Sequence, residues 1–113
     1  MFFPIHPVRN SDTRGFGGDG IPAGDHRFGL GAAIPKEATA VFLNVTAIAR
    51  GAGFVTVWPG GGRPNTSILN FVGDGQAANG SLAVGVTDGG FSIYTSAIAH
   101  LIVDVTGYWT AAA

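Results

Sequence analysis

The stretch Ala97-Ile98-Ala99-His100-Leu101-Ile102-Val103-Asp104-Val105-Thr106-Gly107-Tyr108-Trp109 decides the fold. Side chains alternate between the two faces of an extended chain. Leu101, Val103 and Val105 therefore fall on one side, and Ile98, His100, Ile102, Asp104 and Thr106 on the other. The pattern predicts a strand that is apolar on both faces and carries a carboxylate at its centre. An acidic side chain in such a setting needs a partner. What pairs with Asp104 is thus the first question about the molecule.

Ala38 to Ile48 repeats the design, with Val41, Leu43 and Val45 facing one way and Phe42, Asn44 and Thr46 the other. A polar residue again centres the second face. Gly53 to Trp58 is β-branched and aromatic. Ser67 to Val72 sets Ile68, Asn70 and Val72 against Leu69 and Phe71, and Asp25 to Leu30 alternates weakly through His26, Phe28 and Leu30. Gln76 to Val86 holds one or two strands around Asn79-Gly80. Thr87-Asp88-Gly89-Gly90 predicts a tight primed turn, because Asp-Gly supplies the positive φ values such a turn needs. It is expected to pair Leu82–Val86 with Phe91–Thr95 as a hairpin.

At the other end, Pro4 and Pro7 exclude helix from Phe2 to Arg14, which reads as an extended edge or arm. Residues 15–24 form a loop containing five glycines. The expected organisation is one domain: an arm at 1–14, the glycine-rich loop at 15–24, a β core at 25–109 and a tail at 110–113. Turn chemistry separates the strands at sandwich-like intervals, which predicts an all-β, antiparallel sandwich or barrel-like fold of about seven to nine short strands.

Composition narrows the function. The chain has 113 residues, enough for one core. Charged residues make up 12% and hydrophobic residues 46%, against roughly 25% charged in an average soluble protein. So few charges cover a small globule poorly, which favours a homo-oligomer. The net charge is −1 and the six basic residues are scattered from Arg9 to Arg63, leaving no electrostatic footprint for nucleic acid. No apolar run reaches the roughly 18 residues that span a bilayer, so no membrane partner is expected. With no cysteine, disulfides and thiolate chemistry are excluded.

Candidate chemical motifs fail on context. Gly15-Phe16-Gly17-Gly18-Asp19-Gly20 fits a dinucleotide-binding pattern by letter, but Pro22 and Gly24 follow where a helix must begin. His100 and Asp104 share a face yet lie about 13 Å apart on a strand, too far to hydrogen-bond. The three histidines have no metal spacing, the aspartates at 19, 74 and 88 read as turns rather than calcium ligands, and no serine has a nucleophile-elbow context. No enzymatic role, cofactor or metal is expected. Trp58, Tyr94, Tyr108 and Trp109 fit either a sugar-stacking platform or core and interface burial, the second because Trp58 and Tyr108 end strands.

Several segments carry a family resemblance. Asp12-Thr13-Arg14, Ile34-Pro35, Ala38 to Ala47, Gly53 to Pro59, Ser67 to Phe71 and His100 to Trp109 together resemble, in order, a β-rich domain common in secreted proteins of actinobacteria. That domain often occurs in tandem or beside cell-wall hydrolases, so the resemblance implies a fold more than an activity. The chain departs from it in reading Val8-Arg9-Asn10-Ser11 before Asp12, where the family usually has Arg-Val-Leu. A single copy beginning without an export signal is expected of an actinobacteriophage virion protein. The leading expectation is a capsid decoration protein at the virion surface, forming a symmetric oligomer with a trimer favoured and contacting the major capsid protein or other virion proteins. The alternative is an extracellular carbohydrate- or cell-wall-binding module that uses Trp58, Tyr108 and Trp109 on a cell-surface glycan. Asp104 is expected to pair with Arg14, which sits in a family-like motif, or to be capped by Asn44 and Thr46. Arg14, Asn44, Asn70 and Asp104 are then the structural polar pins of the sheets.

Overall fold

The alternating segments become the strands β1 (Phe2–Asp12), β2 (Gly24–Gly29), β3 (Ala38–Ile48), β4 (Gly53–Trp58), β5 (Leu69–Phe71), β6 (Ala77–Gly85), β7 (Gly90–Thr95) and β8 (His100–Thr110). A 3-10 turn, Thr13–Phe16, follows β1. The computed structural model describes residues 1–111. Its strands form two four-stranded sheets, ordered β1-β8-β3-β6 and β2-β7-β4-β5. Neighbouring strands pair antiparallel throughout, as the all-β sandwich reading requires.

The core lies where the inner faces meet. Val41, Leu43 and Val45 of β3 and Leu101, Val103 and Val105 of β8 are sealed from solvent, facing Val55 of β4 and Phe91 and Ile93 of β7. Each such burial contributes about 1.5–3 kcal/mol relative to exposure. This is why the two most periodic segments occupy the middle of the first sheet: only a central strand buries a row of side chains along its whole length. The sandwich is tied at its rims. Asn10 of β1 donates through Nδ2 to the Gly29 carbonyl of β2 at 3.0 Å. At the opposite rim Leu69 of β5 packs on Gly80 of β6.

Two expectations are corrected and one is narrowed. Of the edge and the arm read for residues 1–14, the structure has the edge: β1 is an edge strand whose Phe2 to Asp12 pair along β8. Its prolines and two register shifts are tolerated because an edge strand has one unpaired side. The turn at 87–90 has the predicted geometry, with φ of 51° at Asp88 and 74° at Gly89 and reciprocal Thr87–Gly90 hydrogen bonds. The strands it joins do not form a hairpin, however: β6 pairs with β3 and β7 pairs with β2 and β4. Turn chemistry fixes a local reversal, and burial of both faces of β7 decides which sheet the strand enters. The segment 67–72 contributes only Leu69–Phe71 to a sheet.

The parity of β8 also changes along its length. Leu43 lies opposite Val105 but Phe42 lies opposite Gly107, so a β-bulge inserts one residue at Thr106. Beyond it Tyr108 faces inward, opposite Val41 and against the core. Trp109 turns to the outer face.

Candidate functional site

On the outer face of the first sheet one polar row crosses all four strands. Arg9 of β1 stands opposite Asp104 of β8, Asp104 opposite Asn44 of β3, and Asn44 opposite Ser81 of β6. Asp104 accepts from Arg9 Nε at 2.5 Å. The same guanidinium reaches Asp12 at 3.0 Å, and Asp12 accepts from Arg14 at 2.7 and 2.9 Å. Four alternating charges are thereby locked in sequence, Asp104–Arg9–Asp12–Arg14. The Arg14 hydrogen bonds hold the Asp12 carboxyl far below the usual carboxylate range, aided by the Arg14 backbone N–H and the nearby Arg9. The Asp12 carboxylate in turn raises the Arg14 guanidinium.

The partner of Asp104 is therefore Arg9, and the expected Arg14 pairing is wrong. Arg14 sits in the 3-10 turn, where its side chain folds back on Asp12 two residues earlier. Among the described residues neither Asn44 nor Thr46 caps Asp104. Thr46 accepts from Asn79 Nδ2 at 2.7 Å, while the buried Asn44 Oδ1 has no donor among the described residues. Asn70 is exposed on β5 and its side chain makes no hydrogen bond among the described residues.

One end of this face is aromatic. Phe2 packs on Trp109 with ring centres 4.5 Å apart, Phe42 lies 6.3 Å from Trp109, and Phe2 remains 42% exposed. A shallow depression of about 390 Å³ opens beside Trp109, floored by Ala40, Ala83 and Gly85. The other end is anchored by a residue that strand periodicity does not reveal. Thr13, 4% exposed, accepts from the Leu101 backbone N–H at 2.9 Å and hydrogen-bonds with His100 Nδ1 at 3.1 Å. His100 Nε2 donates to the Gly18 carbonyl at 2.8 Å. The two ring nitrogens thus hold the start of the 3-10 turn, at Thr13, and the glycine-rich loop, at Gly18, against β8. The Asp-Thr-Arg triplet was the available signal for Thr13.

Trp58, Tyr108 and Trp109 do not form a common platform. Trp58 is buried in the second sheet and donates to the Gly61 carbonyl at 3.1 Å. Tyr108 stacks on Phe3 on the inner side at 5.1 Å, and Trp109 alone of the three reaches the outer face. The outer face of the second sheet is occupied by its own side chains and loop: Arg63 lies 3.7 Å over the Tyr94 ring and pairs with Asp25 at 2.8 Å. Arg27 donates to the carbonyls of Pro59 and Thr87. Among the described residues no three histidine, aspartate or glutamate side chains converge as a metal cage. Comparison with known families finds no matching family model, and comparison with curated proteins finds no match.

Proposed function

We propose that the chain is a non-enzymatic structural protein of a bacteriophage virion surface, a capsid decoration protein that works as a symmetric homo-oligomer. It contacts the major capsid protein or another virion protein through the outer face of the first sheet. The observation that carries this reading is the pairing, on that face, of the half-exposed Phe2–Phe42–Trp109 cluster with a row of charges already locked to one another. Aromatic surface left at a sheet exterior favours contact with another protein. Charges held in place beforehand lose little freedom when a partner arrives. The low charge content of 12% supports burial of further surface in an assembly. The alternative, a glycan-binding module, loses its supporting residues because Trp58, Tyr108 and Trp109 lie in three separate environments.

Two measurements test the proposal. Peptide mass spectrometry of purified phage particles should find the chain in regular stoichiometry with the capsid protein, and its gene should lie among head or tail genes. A protein that sediments as a stable monomer and is retained on purified peptidoglycan would overturn it in favour of the cell-wall module.

A further inference from the structure

The four sheet edges are not protected alike. β1 carries Pro4, Pro7, Arg9 and Asp12 and two register shifts. β2 carries Asp25 and Arg27 and is tied at Gly29 by Asn10. β5 is three residues long. Prolines, charges, irregularity and shortness are the usual means of preventing one sheet from adding to another. β6 has none of them: its nine residues, Ala-Ala-Asn-Gly-Ser-Leu-Ala-Val-Gly, include neither a charge nor a proline.

The register shows which backbone groups this edge offers. Val86 N–H donates to the Thr39 carbonyl, which fixes the phase of the antiparallel ladder. Val84, Leu82, Gly80 and Ala78 then exchange hydrogen bonds with β3, and Ala77, Asn79, Ser81, Ala83 and Gly85 direct N–H and C=O away from it. No hydrogen bond within the described residues uses those outward groups. Ala77, Asn79, Ser81 and Ala83 are exposed.

We infer that β6 is a homodimerisation edge, and that its occupant is β6 of a second copy, running antiparallel about a two-fold axis at Ser81. The five outward residues are symmetric about Ser81. One register therefore sets Ser81 against its own copy, Asn79 against Ala83 and Ala77 against Gly85, and every outward group meets another. That ladder contains about ten backbone hydrogen bonds. The facing side chains are small and uncharged, so self-pairing brings no like charges together, whereas a charged partner strand would find no counter-charge. The pairing also continues the outer polar row, from Arg9 through Asp104, Asn44 and Ser81 into the same row of the second copy. An isologous contact closes at two copies, so this edge builds a dimer rather than the trimer preferred on sequence. The inference does not rest on a virion location.

Light scattering across a dilution series should give twice the 11.5 kDa chain mass for the wild type. Both S81K, which opposes two ammonium groups on the axis, and S81P, which removes an outward donor without touching the β3 ladder, should give the single-chain mass with an unchanged far-UV spectrum. Because the chain has no cysteine, S81C provides a direct proximity test. Antiparallel hydrogen-bonded pairs have Cα atoms about 5.5 Å apart, within disulfide reach. S81C should cross-link in mild oxidant much faster than V72C, whose site is 77% exposed but off the axis. A monomeric wild type, a dimer that survives S81K, or equal cross-linking of S81C and V72C would overturn the inference.

Discussion

Replacing Asp104 by alanine probes the polar row at its centre. The carboxylate is 22% exposed and accepts from Arg9 Nε at 2.5 Å, while Arg9 is 50% exposed and keeps a second carboxylate, Asp12, at 3.0 Å. A hydrogen bond to a charged group is worth about 1.5–3 kcal/mol, and an exposed ion pair only about 0.2–1 kcal/mol. The pair lies between those limits. Arg9 is not stranded when Asp104 is removed, because water and Asp12 still solvate it, so the cost of about 3–5 kcal/mol for breaking a fully buried pair does not apply. The expected loss for D104A is about 1.5 kcal/mol, and the Arg9–Asp104 coupling in a cycle of R9A, D104A and the double variant is about 1 kcal/mol. For a domain of 113 residues that loss lowers the melting temperature by about 5–8 °C. Calorimetry or denaturant titration of the four proteins reads both quantities. A coupling near zero would refute the pairing, and a D104A cost above about 4 kcal/mol would mean that the charge is fully buried.

Thr13→Val should cost about 1–3 kcal/mol, because it leaves the sealed Leu101 N–H without an acceptor. Thr13→Ser keeps the hydroxyl and should cost about 1 kcal/mol or less, so equal urea midpoints for the two would refute the anchor. Asp12 titrates far below an ordinary carboxylate in the folded protein, and a depressed folded pKa gives stability that is complete above the unfolded value of about 3.9 and lost as pH falls below it. Wild-type melting temperature should therefore drop through the acid range below about pH 4, and D12N should flatten that limb; identical acid limbs would exclude Asp12 as its source. Gly20→Ala should destabilise by more than about 3 kcal/mol, since φ is +127° and a Cβ would lie 2.0 Å from the Ala99 carbonyl carbon. Gly61→Ala, at φ +73° with nothing within 4 Å, should cost only about 1–2 kcal/mol, and comparable losses would sink the argument from close approach.

The fold was legible wherever burial is one-dimensional along the chain. β3 and β4 match their sequence limits of 38–48 and 53–58 because period-two alternation in the first, and a β-branched and aromatic run in the second, meet flanking turns. Pairing was less legible. The Asp88-Gly89 turn was readable from two residues, yet the sheet entered by β7 depends on what covers Phe91 and Ile93, which are sealed from solvent. Nothing within the four residues of the turn carries that information. The partner of Asp104 was missed for a related reason: opposing Arg9 to Asp104 requires the register of β1, and two shifts interrupt that register. Proximity to a familiar motif pointed instead to Arg14, whose short return to Asp12 is a local matter.

The aromatic end of the face shows how a single glycine carries the missing signal. Strict alternation from Val105 puts Trp109 on the inner side with Val103 and Leu101, and Tyr108 on the outer side, the reverse of what is found. A glycine inside a strand marks a bulge or a close approach, and Gly107 marks both. It follows the inserted residue Thr106, and a Cβ on it would lie 2.5 Å from the Phe2 ring. The bulge sends Trp109 outward, and the missing side chain lets Phe2 settle beside it at 4.5 Å. The two effects depend on one another. A side chain at 107 would displace Phe2 and uncover Trp109, whereas loss of the bulge would send Trp109 toward the core and leave Phe2 with nothing to cover. The contact surface proposed for this protein is thus set less by its aromatic residues, which a platform of any kind would need, than by the backbone irregularity that sorts them between the core and the exterior.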